Sequence, residues 1–218
     1  MSAEDPHRGQ RVLTAGAPLA EAKGAVLMFH GRGADAADII GLARVINRPG
    51  LAYLAPDAAE HAWYPRPFMS PQASNEPWLS SAKGVVAHLI AEVGLAGIAL
   101  ERTVLIGFSQ GACLATEFAA RNPRRYGAVI ALSGGLIGDR VDAGDYAGSL
   151  AGTPVFVGCS DADPFIPLAR VQESAAIMAH LGGEVTERIY PHIPHTIVPD
   201  EIEHVRAILD AMVGAASS

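Results

Sequence analysis

Apolar residues along the chain form short continuous runs, and longer segments with helical spacing of their apolar positions lie between these runs. Runs of this kind are typical of strands that are buried on both faces of a parallel sheet. They cover residues 25–29, 51–55, 103–106, 128–132, 154–157 and 185–190, and residues 11–14 add an edge strand before them. Strands that alternate with helices predict a mostly parallel sheet with helices on both faces, an α/β fold.

Three segments between the strands predict helices. Over residues 80–93, Val86, Leu89 and Val93 fall on one face of a helix. Over residues 199–212, an apolar stripe follows acidic residues in the first turn, where the helix dipole favours negative charge. Residues 112–120 are rich in alanine and other good helix formers.

Residues 56–79 interrupt this alternation with a long segment that is rich in proline and aromatic residues. A loop of this length inside a compact domain is usually functional or disordered, and the aromatic content argues against disorder. Two interpretations remain open: a wall on the substrate side of an active site, or an irregular covering that packs on a helix. The first interpretation predicts four substrate-binding residues, which are Trp63, Tyr64, Phe68 and Met69.

Composition narrows the class of protein. The chain has 218 residues, of which 50% are hydrophobic and 18% are charged. This predicts a single domain over residues 1–218, with a flexible segment at residues 1–10. The net charge of −7 argues against nucleic-acid binding. Because no membrane-spanning run or secretory signal is visible, we expect a cytoplasmic protein without stable membrane association, either a monomer or a homodimer.

The first candidate for a catalytic motif is Gly-Phe-Ser-Gln-Gly at residues 107–111, which lies between a predicted strand and a predicted helix. The Gly-x-Ser-x-Gly pattern is short enough to arise by chance, but this context strengthens it. A sharp strand–turn–helix corner needs glycine at both ends and leaves its serine strained and exposed. We therefore predict that Ser109 is a nucleophile and that the N–H of Gln110 donates to an oxyanion.

A serine nucleophile needs a base, and an acid to orient that base. The acid and then the histidine follow the serine in the chain order of α/β-hydrolases. Asp163 and Asp161 both lie in the turn after the strand at 154–157; Pro164 favours Asp163, whereas Asp161 suits a turn-capping role. His195, between the last strand and the last helix, is the favoured base, with His192 as the alternative.

The second oxyanion donor is expected in residues 30–33, His-Gly-Arg-Gly, directly after the first buried strand. Glycines there let backbone N–H groups converge on an oxygen. His30 suits a structural position beside that site, and His7 is assigned to the polar N-terminus. The loop lacks a phosphate-binding pattern and no Cys/His cluster has zinc spacing, so we expect neither a metal nor a cofactor. Cys113 and Cys159 are expected to be buried and reduced.

These motifs together resemble the small bacterial phospholipase/carboxylesterase family, which is related to the acyl-protein thioesterases. The matching segments are residues 30–33, 107–111, 133–135, 161–167 and 195–196. The resemblance implies an α/β-hydrolase domain with a minimal cap that acts on carboxylic esters or thioesters through an acyl-enzyme. It also implies Ser109, Asp163 and His195 as the triad, with the backbone N–H groups of Arg32 and Gln110 as the oxyanion hole.

The chain departs from the thioesterase pattern at Arg32, where that family usually has an apolar residue, and in residues 63–69. Small carboxylic esters are therefore favoured as substrates over lysophospholipids or acylated proteins. A dienelactone-hydrolase-like enzyme or an acyl thioesterase is the alternative, and a non-catalytic binding module is least favoured. The Arg32 side chain either pairs with an anionic group of the substrate or forms a surface ion pair with Asp35 or Asp38.

Overall fold

The computed structural model describes residues 5–214, and its seven strands form one sheet. The strands are β1 (Val12–Gly16), β2 (Gly24–Phe29), β3 (Leu51–Pro56), β4 (Thr103–Phe108), β5 (Ala128–Leu132), β6 (Pro154–Ser160) and β7 (Glu184–Tyr190). Their order across the sheet is β1-β3-β2-β4-β5-β6-β7. Only β1 pairs antiparallel with its neighbour, and the other pairs are parallel. The predicted mostly parallel sheet is confirmed.

Within residues 5–214, five helices cover both faces of the sheet: α1 (Ala36–Ile46), α2 (Trp78–Leu95), α3 (Gln110–Arg121), α4 (Leu168–His180) and α5 (Pro199–Gly214). Successive side chains along each strand point to opposite faces of the sheet, so neighbouring residues pack in different layers. In β2, Val26 and Met28 pack in the layer with α1 and α5. Leu27 and Phe29 pack in the layer with α2, α3 and α4. The predicted layers on both faces are confirmed.

One strand differs from the expectation of burial on both faces. Residues of β7 alternate between exposed and half-buried positions. The reason is its place in the sheet, since β7 is an edge strand that pairs only with β6. Polar side chains such as Thr186 and Arg188 therefore face outward.

The start of the chain also differs from the expectation of a flexible segment over residues 1–10. Residues 1–4 lie outside the described residues. His7 is only 2% exposed, and its ring lies 5.5 Å from that of Trp63 and 5.4 Å from that of Trp78. Its Nδ1 accepts the N–H of Ala59 at 3.1 Å, so Nε2 donates to the carbonyl of Trp63 at 2.9 Å. The placement of His7 in a polar tail is therefore corrected, because the tryptophan rings provide an apolar site for it.

Residues 57–77 connect β3 to α2 with short 3₁₀ turns at Ala59–His61 and Gln72–Asn75. Half-buried polar contacts fix this connection, one against α3 and one within the connection itself. The side chain of Gln72 donates to the Glu117 carboxylate in α3 at 2.8 Å, and Asn75 accepts the N–H of Arg66 at 2.8 Å. Within residues 5–214, no helix is long and apolar enough to cross a membrane.

Candidate active site

Ser109 lies at the corner between β4 and α3, in a strained backbone conformation. Its φ of 55° and ψ of −120° are unfavourable for a residue with a side chain, at a typical cost of about 1–3 kcal/mol. The corner is tight: a Cβ on Gly111 would run into the carbonyl oxygens of Phe29 and His30, and a Cβ on Gly107 would run into the backbone of Gly111. The half-buried Ser109 is tied to the sheet by its N–H, which donates to the carbonyl of Leu132 at 2.9 Å.

Two backbone segments approach Ser109 from different directions. Gln110 begins α3, and the first N–H groups of a helix have no acceptor within it. The loop at residues 30–33 follows β2, the strand next to β4. It comes close, because a Cβ placed on Gly31 would lie 3.3 Å from the Cβ of Ser109. The geometry is therefore suited to an oxyanion site between Arg32 and Gln110.

Asp163 and His195 are brought together at the carboxyl ends of β6 and β7. Asp163 Oδ2 lies 2.6 Å from His195 Nδ1, and Asp163 Oδ1 accepts the N–H groups of Phe165 at 2.9 Å and Ile166 at 3.0 Å. Burial alone raises the pKa of Asp163, but the bonds from His195, Phe165 and Ile166 outweigh it and place this pKa below its ordinary value. The carboxylate is thus ionised at neutral pH, so Nδ1 carries the hydrogen and Nε2 of His195 can accept a proton.

Aromatic rings hold the imidazole of His195 in this orientation. The ring of Phe108 lies 4.8 Å from it in a tilted arrangement, and Phe165 contacts it edge-on at 5.1 Å. The side chain of His195 is 14% exposed. Sequence reasoning missed both phenylalanines, although each lies inside a motif: Phe108 precedes the serine, and Phe165 follows Asp163-Pro164.

The alternative acid and base lie apart from this pair. Asp161 Oδ1 accepts the backbone N–H of His192 at 2.8 Å, a contact that ties the turn after β6 to the turn after β7. The side chain of His192 is 88% exposed. Neither residue lines the cleft that contains Ser109 and His195.

Ser109 and His195 lie on the wall of one cleft, with a volume of about 510 Å³. Its lining is mainly apolar and comes from Gly31, Arg32, Ala34, Tyr64, Pro65, Pro67, Phe68, Phe108, Ser109, Gln110, Cys113, Phe165, Ile166 and His195. The predicted substrate-side loop contributes Tyr64 and Phe68 among these. Cys113 lies one helical turn after Ser109 at the cleft floor, and burial raises the pKa of its thiol to about 12.

Trp63 and Met69 do not line the cleft, and their prediction as substrate-binding residues is corrected. Trp63 is fully buried behind the cleft; its indole N–H donates to the carbonyl of His30 at 2.9 Å, and its ring meets Phe29 edge-on. Met69 is 38% exposed on the outer surface. Trp63 and Tyr64 are both fully buried in the same apolar core, and of the two only Tyr64 also reaches the cleft.

Side chains of Gln110 and Arg32 hold the wall at residues 63–66. Gln110 Oε1 accepts the N–H of Trp63 at 2.9 Å, and Gln110 Nε2 donates to the carbonyl of Tyr64 at 2.8 Å. The guanidinium of Arg32 donates to the carbonyl oxygens of Tyr64, Pro65 and Arg66 at 2.7, 3.2 and 3.1 Å. No sequence motif indicates these contacts, because they join side chains to main-chain atoms more than thirty positions away.

The expected ion pair of Arg32 with Asp35 or Asp38 is absent from the described residues, and this prediction was wrong. Both carboxylates form the capping box of α1: Asp35 accepts the N–H groups of Ala37 and Asp38, and Asp38 accepts the N–H of Asp35. Helix capping holds both carboxylates at the start of α1, whereas the carbonyl groups of residues 64–66 hold the guanidinium of Arg32. Among residues 5–214, no group of three or more His, Cys, Asp or Glu side chains is arranged to hold a metal ion.

Comparison with known proteins identifies relatives over most of the chain. The sequence matches the family described as phospholipase/carboxylesterase over residues 14–213. It is 33% identical to acyl-protein thioesterase 1 of Gibberella zeae over 56% of this chain and 53% of that protein. It is 30% identical to acyl-protein thioesterase 1 of Saccharomyces cerevisiae over 52% of this chain and 51% of that protein. The match thus spans about half the length of these curated relatives.

Solved structures show the same architecture. The phospholipase/carboxylesterase from Dyadobacter fermentans has a TM-score of 0.89 and 44% identity, over 92% of this chain and 97% of that chain. Esterase PE8 has a TM-score of 0.77 over 93% of this chain and 99% of that chain. At 23% identity, the second likeness concerns the fold alone.

Proposed function

The chain belongs to the phospholipase/carboxylesterase family, and we propose that it is a serine carboxylesterase that hydrolyses small carboxylic esters with Ser109, His195 and Asp163 as its triad. One observation carries this proposal: the cleft holds Ser109 on a strained corner together with His195, and the Nδ1 of that histidine is 2.6 Å from a buried carboxylate. No other group is needed to activate the serine.

The first half of the reaction transfers the acyl group to the enzyme. His195 Nε2 takes the proton of Ser109 while Oγ attacks the ester carbonyl, and Asp163 stabilises the imidazolium that forms. The backbone N–H groups of Arg32 and Gln110 donate to the oxygen of the tetrahedral intermediate; loss of one such donor costs about 10²–10³ in rate in comparable enzymes. His195 then gives its proton to the departing alcohol, and an acyl-enzyme remains on Ser109.

The second half releases the acid. His195 takes a proton from water as the water attacks the acyl-enzyme, and the same N–H groups hold the second oxyanion. The proton returns to Oγ of Ser109 when the acyl bond breaks. Phe108 and Phe165 support both halves, because they hold the imidazole in place between the two proton transfers.

Thioester hydrolysis is the second candidate function. Two relatives are named acyl-protein thioesterase 1, and a thioester carbonyl would occupy the same oxyanion site. We favour small oxygen esters, because the chain departs from the acyl-protein thioesterase pattern at Arg32 and in residues 63–69, and both contribute to the cleft lining.

A panel of para-nitrophenyl esters from acetyl to lauroyl, with matched thioesters, tests the proposal. We expect hydrolysis with the highest kcat/KM among the short acyl groups, and a loss of at least about 10³-fold in Ser109→Ala and His195→Ala at unchanged thermal stability. A folded Ser109→Ala variant that retains wild-type turnover would contradict the proposed nucleophile. A consistent preference for long-chain thioesters would replace the substrate class but leave the triad in place.

A further inference from the structure

Arg32 holds a defined orientation at the cleft. Its three hydrogen bonds to the carbonyl oxygens of Tyr64, Pro65 and Arg66 come from Nη1 and Nη2. A guanidinium has five N–H donors in one plane, and Nη2 uses both of its donors here while Nη1 uses one. One N–H of Nη1 and the N–H of Nε therefore remain available, on an exposed side chain that lines the cleft.

The positive charge of Arg32 is not neutralised by its partners. All three acceptors are neutral carbonyl groups, and Arg32 is in no ion pair among residues 5–214. The described residues that line the cleft include no Asp or Glu, although the whole chain carries a net charge of −7. The nearby carboxylates of Asp35 and Asp38 already accept backbone N–H groups at the start of α1.

We propose that Arg32 is a specificity-determining residue that binds an anionic group, a carboxylate, on the acyl or the alcohol part of the ester. An oriented guanidinium favours oxyanion recognition, because its donors are fixed before the substrate arrives. The wall contacts supply this orientation, and the described residues that line the cleft include no second arginine and no lysine. This inference rests on the proposed esterase function and names its substrate class: esters that carry a carboxylate.

Two pairs of esters test the effect of a negative charge on the substrate while its size and shape stay nearly the same. Monoethyl adipate and the ethyl ester of adipamic acid differ only by carboxylate against amide on the acyl side. The para-carboxyphenyl and para-carbamoylphenyl acetates make the same comparison on the alcohol side. The quantity measured is the ratio of kcat/KM for the anionic ester to that for its neutral partner, at low ionic strength.

We expect a wild-type ratio above one for at least one pair, and the pair that shows it identifies the side of the ester that Arg32 contacts. Arg32→Gln should lower that ratio by about five- to tenfold, as for the loss of one exposed charge-assisted bond. Added salt should lower the wild-type ratio in the same direction. Arg44→Leu, which removes one charge from an exposed position of α1 that does not line the cleft, is the control and should leave the ratio unchanged.

Two results would overturn the inference while the esterase proposal stands. In the first, the wild-type ratio is one or lower for both pairs. In the second, Arg32→Gln and Arg32→Lys depress the anionic and neutral esters equally, so that Arg32 only positions the wall. Hydrolysis of the para-nitrophenyl esters without hydrolysis of these four counts with the first result. If neither set is hydrolysed, the proposed function itself fails and this inference fails with it.

Discussion

Asp163 determines which ring nitrogen of His195 carries the hydrogen, and this makes it the most informative single residue to change. Asp163→Asn keeps the Oδ1 acceptor for Phe165 and Ile166 but turns an amide N–H toward Nδ1. The imidazole must then carry its hydrogen on Nε2, where it cannot take the proton of Ser109. We expect kcat to fall by about 10³–10⁴-fold with little loss of stability, measured by ester hydrolysis and thermal unfolding.

Asp161→Asn is the control for this substitution. Its carboxylate accepts the backbone N–H of His192, lies 3.9 Å from Nδ1 of the same residue and does not line the cleft. We expect kcat within about threefold of wild type, since surface changes of this kind have small effects. A larger loss in Asp161→Asn than in Asp163→Asn would reverse the assignment of the acid.

Glu201 is a buried carboxyl that the reaction does not use. It is 1% exposed in the first turn of α5, and its Oε2 accepts the N–H of Val198 at 2.9 Å. Burial raises its pKa to about 7. Because the folded state binds this proton more tightly than the unfolded chain does, stability falls as pH rises from about 4.5 to about 7, by up to ~3 kcal/mol.

Glu201→Gln should remove most of that pH dependence. The amide oxygen still accepts from Val198, and the buried group no longer ionises. Urea unfolding at pH 5 and pH 8 measures the effect, with the free energy of unfolding at pH 8 expected to rise in the variant. Glu203→Gln, on the exposed face of the same helix, is the matched control. An unchanged difference between the two pH values in Glu201→Gln would show that Glu201 ionises normally.

At the scale of elements, the corner between β4 and α3 depends on two close backbone approaches. Gly111→Ala would place a Cβ against the carbonyl oxygens of Phe29 and His30, which belong to β2 and its following loop and cannot rotate away. We expect a loss of about 3 kcal/mol in unfolding free energy together with a loss of activity, measured by urea unfolding and ester hydrolysis.

Gly84→Ala is the control for that change, because Gly84 lies on the exposed side of α2 and an added Cβ meets nothing within 4 Å. Here we expect a gain of about 0.5–1 kcal/mol, the ordinary helix preference for alanine. If Gly111→Ala were as stable and active as wild type, the tight corner would not be needed for Ser109.

The positions of the strands could be predicted from the sequence, because a continuous apolar run indicates a strand that is buried on both faces. The residues at which the strands end could not be predicted in this way. β4 continues to Phe108 and β6 to Ser160, past the predicted 103–106 and 154–157. The extensions are decided by pairing with neighbours, Phe108 with Leu132 and Ser160 with Tyr190. Such pairs join distant parts of the chain and leave no local pattern.

At the scale of the whole molecule, the cleft forms where the loops after β2, β3, β4 and β6 meet the loop after β7. The chain order of a hydrolase predicts which residues reach this edge of the sheet, and the structure brings Ser109, Asp163 and His195 to it. Side-chain direction in the wall was not predictable in the same way. Trp63 and Tyr64 are both fully buried, yet only Tyr64 lines the cleft. Hydrogen bonds from Gln110 and Arg32 to the Tyr64 carbonyl, and from the Trp63 indole to His30, fix this arrangement.

Trp63 and Phe68 both lie in the connection between β3 and α2, and different outcomes are expected when each is replaced. Phe68→Ala widens the cleft and should shift the preferred acyl group to a longer one, because Phe68 lines it. Trp63→Ala removes a fully buried ring and should cost about 3–5 kcal/mol in stability. Profiles of kcat/KM against acyl length, with urea unfolding of both variants, separate the two roles. An unchanged acyl preference in Phe68→Ala would exclude Phe68 from the acyl site.

The most direct test of the account is covalent trapping of the nucleophile. Wild-type protein treated with a fluorophosphonate and analysed by intact mass spectrometry should gain one adduct, which peptide mapping should place on Ser109. Ser109→Ala should gain none, and His195→Ala should react at least about 10³-fold more slowly, because the serine loses its base. An adduct that forms equally fast in Ser109→Ala, or maps to another residue of the wild-type protein, would contradict the assignment of Ser109 as the nucleophile.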